Sequence, residues 1–313
     1  MSSLKKLTKL YSLKNYKGYK TGVSIVVLGV GGTGGYLIPT LTRYMYLLRD
    51  ANLISALTDR FEDINLLLID GDAVEQKNLV RQNFVSEDIG KNKAEVLAER
   101  YSKHFGVDIT CFPEYVSDSA DLVRIFKALD PNHVKVIIGC VDNNKTRLLI
   151  HKATQAYTKT NEPVFWIDAG NEEHHGQVVC GYTHPVPLLD SMGGEVSDEF
   201  PLGLWSGANE FGLPTIVELH PEVLKPKDKL PTDLSCAERA VSAPQTIFVN
   251  QMAAVHIMNF LQQILNGEPI SHFAVYFSTR TNNARVLDLT EASINQVANS
   301  LKSHKKELEV MTQ

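Results

Sequence analysis

The chain has 313 residues, 43% hydrophobic and 21% charged, a balance that suits a globular protein with a sizeable apolar core. Its formal net charge of −5 at pH 7 argues against a general nucleic-acid binder, whose footprint is usually basic. No apolar run approaches the ~18 residues that a membrane span needs, and the lysines at the start (Lys5, Lys6, Lys9, Lys14, Lys17, Lys20) lead into no apolar signal core. A cytoplasmic protein with no membrane and no nucleic-acid partner is expected.

In chain order, Val23–Leu28 reads as the first strand and runs into Gly29-Val30-Gly31-Gly32-Thr33-Gly34. This is the pattern of a phosphate cradle. Gly29 permits the tight turn, Gly31, with Gly32 beside it, lets backbone approach an anion, and Gly34 lets the next helix pack on the strand. Tyr36–Leu48 reads as that helix. Leu66–Ile69 follows as a short apolar strand, and Lys91–Phe105 as a helix with Ala94, Leu97, Ala98 and Tyr101 along one face. Val134–Ile138 reads as a buried strand, followed by a helix from about Lys145 to Tyr157 and the strand Val164–Ile167. Strands separated by helices of this length imply a doubly wound, mainly parallel α/β sheet covered on both faces.

After Gly176 the pattern changes. Gln177–Tyr182 reads as a strand, and Pro and Gly then become dense from His184 to Pro231, too long a span for an ordinary connection. A crossover or lid is expected there. Pro244–Leu265 reads as an apolar helix around Phe248, Met252, Val255, Met258 and Leu261. Phe273–Arg280 and Ala284–Leu289 read as a hairpin, and the polar tail from Lys302 as frayed. The expected organisation is one decorated domain: residues 1–183 as the nucleotide-binding core, 184–243 as the crossover, and 244–313 as a helix and hairpin completing the core.

Cys111, Cys140, Cys180 and Cys236 include no C-x-x-C pair, so the usual structural zinc site is not expected. Cys180 lies in an apolar strand and reads as core; Cys140 reads as packing. His174 and His175 are adjacent on an extended segment and point apart, which suits surface structure better than a metal.

The chemistry is concentrated in LLLIDGDAVEQKNLVRQNF and the DIGKNKAEVLAER that follows. Asp70 ends a strand, where an acid can bind ribose hydroxyls. Asn78, Arg81 and Gln82 follow it closely, and Lys93 opens the next helix. An arginine and a lysine converging on a phosphate site neutralise charge that builds on a triphosphate under attack, whereas hydride transfer develops no such charge. In GCVDNNKTR, Asp142 lies just past a strand end, where a carboxylate can hold Mg²⁺ beside nucleotide phosphates or cap the following helix.

The pattern D-x-D-x-V-x-x-x-N-L-x-R-Q followed by D-I-G-x-x-K-A resembles the signature of the ThiF/MoeB superfamily, which includes the ubiquitin-activating enzymes. The resemblance runs from Val23 to about Tyr182 and resumes from Cys236 to Leu289. It implies a Rossmann-like ThiF/MoeB fold, ATP and Mg²⁺ as cofactors, and adenylation of the C-terminal glycine of a ubiquitin-like or sulfur-carrier protein. It also implies that Asp70 binds ribose and that Asn78, Arg81 and Lys93 contact the ATP phosphates. Asp72 and Gln82 would lie at the nucleotide, Asp142 would ligate the metal, and Asn143 matches the next motif residue. Relatives dimerise, so a homodimer is expected. Arg147 matches no role as clearly.

WIDAGNEEHHGQVVCGY, DLSCAERAVSAPQTIFVNQMAA and the extra length before Asp70 resemble the version of ThiF carried in bacterial PRTRC gene systems. Cys236 invites two readings. The activating enzyme serving UFM carries a cysteine in a similar place that takes the activated glycine as a thioester, and Arg239 or a helix N-terminus would lower its pKa. MoeB-like members place a cysteine nearby without forming one. Two departures stand out: no arginine precedes Arg43, where relatives supply one to the partner subunit's site, and the zinc-binding cysteine pairs of many relatives are absent. The other readings are a catalytically inactive scaffold or partner subunit of an activating complex and an NAD-dependent dehydrogenase. Some relatives instead adenylate short peptides or small cyclised products.

Overall fold

A computed structural model describes residues 22–49, 63–158, 164–183, 213–233 and 245–290 apart from 267 and 269, together with 292, 293, 296 and 297. Its spine is an eight-stranded sheet. The strands are β1 (Gly22–Leu28), β2 (Asp63–Ile69), β3 (Ile109–Phe112), β4 (His133–Gly139), β5 (Val164–Asn171), β6 (His175–Thr183), β7 (His272–Ser278) and β8 (Asn283–Asp288), in the spatial order β3-β2-β1-β4-β5-β6-β7-β8. Strands β3 to β5 are mutually parallel, with Val23 level with Ile64 on one side and Val134 on the other. Strands β6 to β8 continue the sheet antiparallel. Every residue of β1 and β4 is buried, the polar Ser24 and Lys135 included, which is why both read as mainly apolar runs: helices cover a parallel sheet on both faces.

The helices are α1 (Gly32–Arg49), α2 (Lys93–Phe105), α3 (Ser119–Ala128), α4 (Asn144–Thr158), the single turn α5 (Ile216–Leu219) and α6 (Ile247–Leu265). Helix α1 packs on α2 and α6, and α3 packs on α4. Right-handed crossovers put these two groups on opposite faces of the sheet. Trp166, Phe165, Phe260, Phe273 and Tyr182 are wholly buried between the layers.

Several boundaries differ from the sequence reading for local reasons. Helix α2 starts at Lys93 rather than Lys91 because the Asn92 side chain accepts the Ala94 and Glu95 N–H groups at 2.8 and 3.1 Å, making Asn92 the cap. It ends on Gly106, whose φ of 62° is left-handed. Strand β2 begins at Asp63, three residues early, with Asp63 and Asn65 pointing outward. Helix α1 begins within the glycine turn at Gly32, not at Tyr36. Strand β3 and helix α3 are additions, and the antiparallel half is wider than the mainly parallel pattern alone conveys. Cys236, the terminal tail and most of the expected crossover lie outside the described residues.

Candidate active site

The strand order reverses direction at β1: the chain moves outward to β2 and β3, then returns to place β4 on the other side of β1. In such sheets the ligand crevice opens at this switch point, beyond the carboxyl ends of the strands. A cavity of about 310 Å³ lies there, and Gly29, Gly31, Asp70, Arg81, Lys93 and Asp142 all line it.

The glycine turn is tight by necessity. Gly29 has φ +82°, and a Cβ on it would sit 2.7 Å from the Cys140 carbonyl oxygen. A Cβ on Gly34 would collide with the Gly29 carbonyl, so Gly34 packs under the turn while Gly31 and Gly32 face the cavity. The free N–H groups that begin α1 therefore approach the cavity without side chains in the way, a surface suited to an anionic phosphate.

Asp70 locks this turn to the next strand. Its carboxylate accepts the Val30 N–H at 2.8 Å and the Asp72 N–H at 2.9 Å. Burial raises the Asp70 carboxyl above its ordinary value, and the Lys93 charge and these two N–H groups oppose that rise. Each carboxylate oxygen keeps a lone pair for a ribose hydroxyl. Lys93, with only 6% of its side chain exposed, places Nζ 2.9 Å from Asp72 Oδ2. The Tyr115 hydroxyl donates to the other Asp72 oxygen, and Tyr115 and Glu114 line the cavity at that end. Arg81 Nη1 donates to Gln245 Oε1 at 3.0 Å, and Gln82 lines the wall beside it.

Asn78 is the residue that the geometry moves. It is 3% exposed and does not line the cavity. Its Oδ1 accepts the Glu75 N–H at 2.8 Å, and its carbonyl accepts the N–H groups of Arg81 and Gln82 at 3.1 and 2.8 Å. It shapes the turn that presents those two side chains.

Across the cavity Asp142 is exposed at the end of β4. The capping role falls to its neighbour: Asn143 Oδ1 accepts the Thr146 N–H at 2.8 Å. Asp142 lines the cavity with its Oδ1 accepting from Asn143 Nδ2 at 3.4 Å, while the next N–H groups of α4 (Asn144 and Lys145) donate at 2.6 and 3.0 Å to the carboxylate of Asp228. Asp228 belongs to the end of the crossover, whose Pro231 also lines the cavity. A second unforeseen group supports the glycine turn from α6 and β5. Asn171 Nδ2 donates to Thr33 Oγ1 at 2.6 Å and to Asn250 Oδ1 at 3.1 Å, and Asn250 Nδ2 lies 3.4 Å from the Arg81 carbonyl oxygen. The segment DLSCAERAVSAPQTIFVNQMAA contains Gln245 and Asn250 without saying what they touch, and no motif signals Asp228; each reaches the site from far along the chain.

Burial pushes the thiols of Cys140 and Cys180 well above the ordinary cysteine range, so neither offers a ready thiolate although Cys140 lines the cavity. His174 lies in the β5–β6 turn and His175 is exposed at the start of β6. Among the described residues no cluster of three or more His, Cys, Asp or Glu could hold a metal alone. A lone carboxylate such as Asp142 suits Mg²⁺ carried in by nucleotide phosphates, and the side-chain-free turn with Lys93 and Arg81 beside it suits the triphosphate.

The fold and this cavity define a doubly wound α/β protein of the Rossmann-like type with a phosphate-cradle site at its switch point. The model of the ThiF family matches residues 21–298, and the chain belongs to that family. Among solved structures it is similar to E. coli MccB crystallised with succinimide (16% identity, TM-score 0.51, 88% of this chain and 66% of that one). It is also similar to PaaA (16% identity, TM-score 0.52, 88% and 67%) and to E. coli MccB with ATP (15% identity, TM-score 0.50, 88% and 66%). At such identities the likeness is one of fold, and the chain spans just under two thirds of the MccB chain. No curated protein matches it. No helix among the described residues is long and apolar enough to cross a membrane.

Proposed function

We propose that the protein is an adenylating enzyme that activates a C-terminal carboxylate with ATP. A carboxylate oxygen bonds to the α-phosphorus, the bond from that phosphorus to the β-phosphate bridging oxygen breaks, and pyrophosphate leaves. The observation that carries this reading is the convergence of Lys93, Arg81 and Asp142 with the glycine turn on one cavity. Asp70 orients the ribose, Gly31 and Gly32 admit the phosphates, and Lys93 and Arg81 meet the charge that develops on them. Asp142 would hold Mg²⁺, which when bound neutralises phosphate charge. A dehydrogenase would have no use for that cationic pair, and an inactive scaffold no need to keep all three groups together.

As substrate we favour a ubiquitin-like or sulfur-carrier protein ending in glycine, with a thioester on Cys236 as a second step. Short peptides are the other reading, supported by the fold shared with MccB, which has been solved with MccA. Within the family, the 166–182 motif favours the PRTRC-type subgroup. Exposed Phe248, Met252 and Val255 along one face of α6, near exposed Val80 beside Arg81, support a homodimer. Light scattering at micromolar concentration tests that, and a monomer mass overturns it.

The deciding experiment is substrate-stimulated ATP–pyrophosphate exchange, run with a glycine-terminated carrier protein and with short peptides. Asp142→Ala is expected to lower exchange by ~10²-fold or more without changing the fold; exchange at the wild-type rate removes Asp142 from the metal site. A thiol-sensitive enzyme–substrate band lost in Cys236→Ala, with exchange retained, supports the two-step form.

A further inference from the structure

Arg147 is buried in the wall of the cavity and makes four separate bonds. Its Nε donates to Asp168 Oδ1 at 2.8 Å, and its Nη1 to Asn144 Oδ1 at 3.1 Å. Its Nη2 donates to two backbone carbonyls, Val141 at 2.8 Å and Ala169 at 3.1 Å. Val141 immediately precedes Asp142. Ala169 precedes Gly170, Asn171 and Glu172, which line the opposite wall of the cavity. One planar guanidinium therefore ties the loop that carries the Asp142 carboxylate to the end of β5. Asp168, wholly buried, is the anchor that sets the plane. On its other side the Asp142 loop is held where the Cys140 N–H donates to the Leu28 carbonyl at 2.8 Å.

We infer that Arg147 is a positioning residue, held by Asp168, that fixes the Asp142 carboxylate at the spacing needed to hold Mg²⁺ on the nucleotide. A metal that is octahedral and tolerates little displacement demands such rigidity, since a site loosened by about an ångström loses its function. Lysine cannot replace the fork: a single ammonium has the charge but cannot reach Asp168, Val141 and Ala169 in one plane. Arg147 touches neither metal nor substrate in this role, and acts through the loop.

The inference rests on the adenylation reading, and the test separates the two. ATP affinity is measured by calorimetry on the full chain, once with Mg²⁺ and once with EDTA. The wild type is expected to bind more tightly with Mg²⁺. Absence of nucleotide binding in either condition overturns the adenylation reading itself. Arg147→Lys is expected to lose about tenfold or more of the Mg²⁺-linked gain while its affinity in EDTA stays as in the wild type, with a lower melting temperature because the Asp168 carboxylate loses its fork. A full Mg²⁺ gain in Arg147→Lys overturns the positioning role, as does an equal loss in both conditions, which would mark a general structural part. If Arg147→Lys does not fold, Asp168→Asn carries the test. It keeps an acceptor for Nε but removes the anchoring charge, and an unchanged Mg²⁺ gain in that variant also overturns the inference.

Discussion

Lys93 opens α2, meets Asp72 at 2.9 Å and faces the cavity, so one side chain both balances Asp72 and presents a charge to a ligand. Removing it leaves Asp70 and Asp72 as neighbouring carboxylates, each disfavouring the other's charge. Lys93→Ala is expected to reduce exchange activity by ~10²-fold or more, with a larger loss at low ATP. Kinetics across ATP concentration check this; an unchanged rate leaves Lys93 as an ion-pair residue only. At this scale the motif residues were legible where they end an element: Asp70 after β2, Lys93 at the start of α2, Asp142 after β4. For Asn78, spacing places the residue near the site without saying which way a buried amide turns. For Gln245 and Asn250, the DLSCAERAVSAPQTIFVNQMAA segment was read but not their contacts, since nothing in a helix or its cap announces the loop it will touch.

Elements were legible in proportion to how evenly they are buried. Strands β1 and β4, buried at every residue, were read close to their true extents, whereas β5 was read as Val164–Ile167 and runs on to Asn171 because the buried Asp168 and the glycine and asparagine after it carry no apolar signal. Strand β3, four residues with an exposed centre, carries too little pattern to be read. Asp228 shows what aperiodic sequence conceals. It sits in the stretch expected as crossover, yet its carboxylate takes two N–H groups at the start of α4, and Lys145 lies 3.4 Å from Asp233 a few residues on. Such a cap is worth about 1 kcal/mol, and acidic charge at a helix N-terminus adds to it. Asp228→Ala is expected to lower the melting temperature by about 2 °C. Because Pro231 lines the cavity, it should also weaken ATP binding; calorimetric melting and nucleotide titration check both.

For the whole molecule, acid is the informative stress. Burial lowers His151 from 6.5 to about 4, and lowers His256 and His272 as well. A histidine whose folded pKa lies below its unfolded value binds fewer protons when folded. The stability it contributes is whole above pH ~6.5 and is lost as pH falls towards 4. Asp70, Asp168 and Glu218, whose carboxyls burial raises, bind more protons folded than unfolded and so act in the opposite sense, from their raised values down to about pH 4, where they offset part of the histidine loss. Denaturant melts at pH 7.5, 5.5 and 4.5 are expected to show falling stability, with a shallower fall in His151→Gln. An identical slope in that variant would assign the loss to other groups.

The seat of Asn250 beneath the glycine turn has a consequence during synthesis. Its Nδ2 would lie 2.8 Å from a Cβ on Gly32, so the amide fills the space beside the turn and bonds to Asn171 as well. A nascent chain that has just released β1 to β5 from the ribosome has its phosphate loop in outline but not its buttress, which arrives only with α6. Strand β6 likewise keeps an open edge until β7 pairs with it, and an open edge is an invitation to the wrong neighbour. The order in which the polypeptide emerges thus delays the glycine turn's last support until α6 is made.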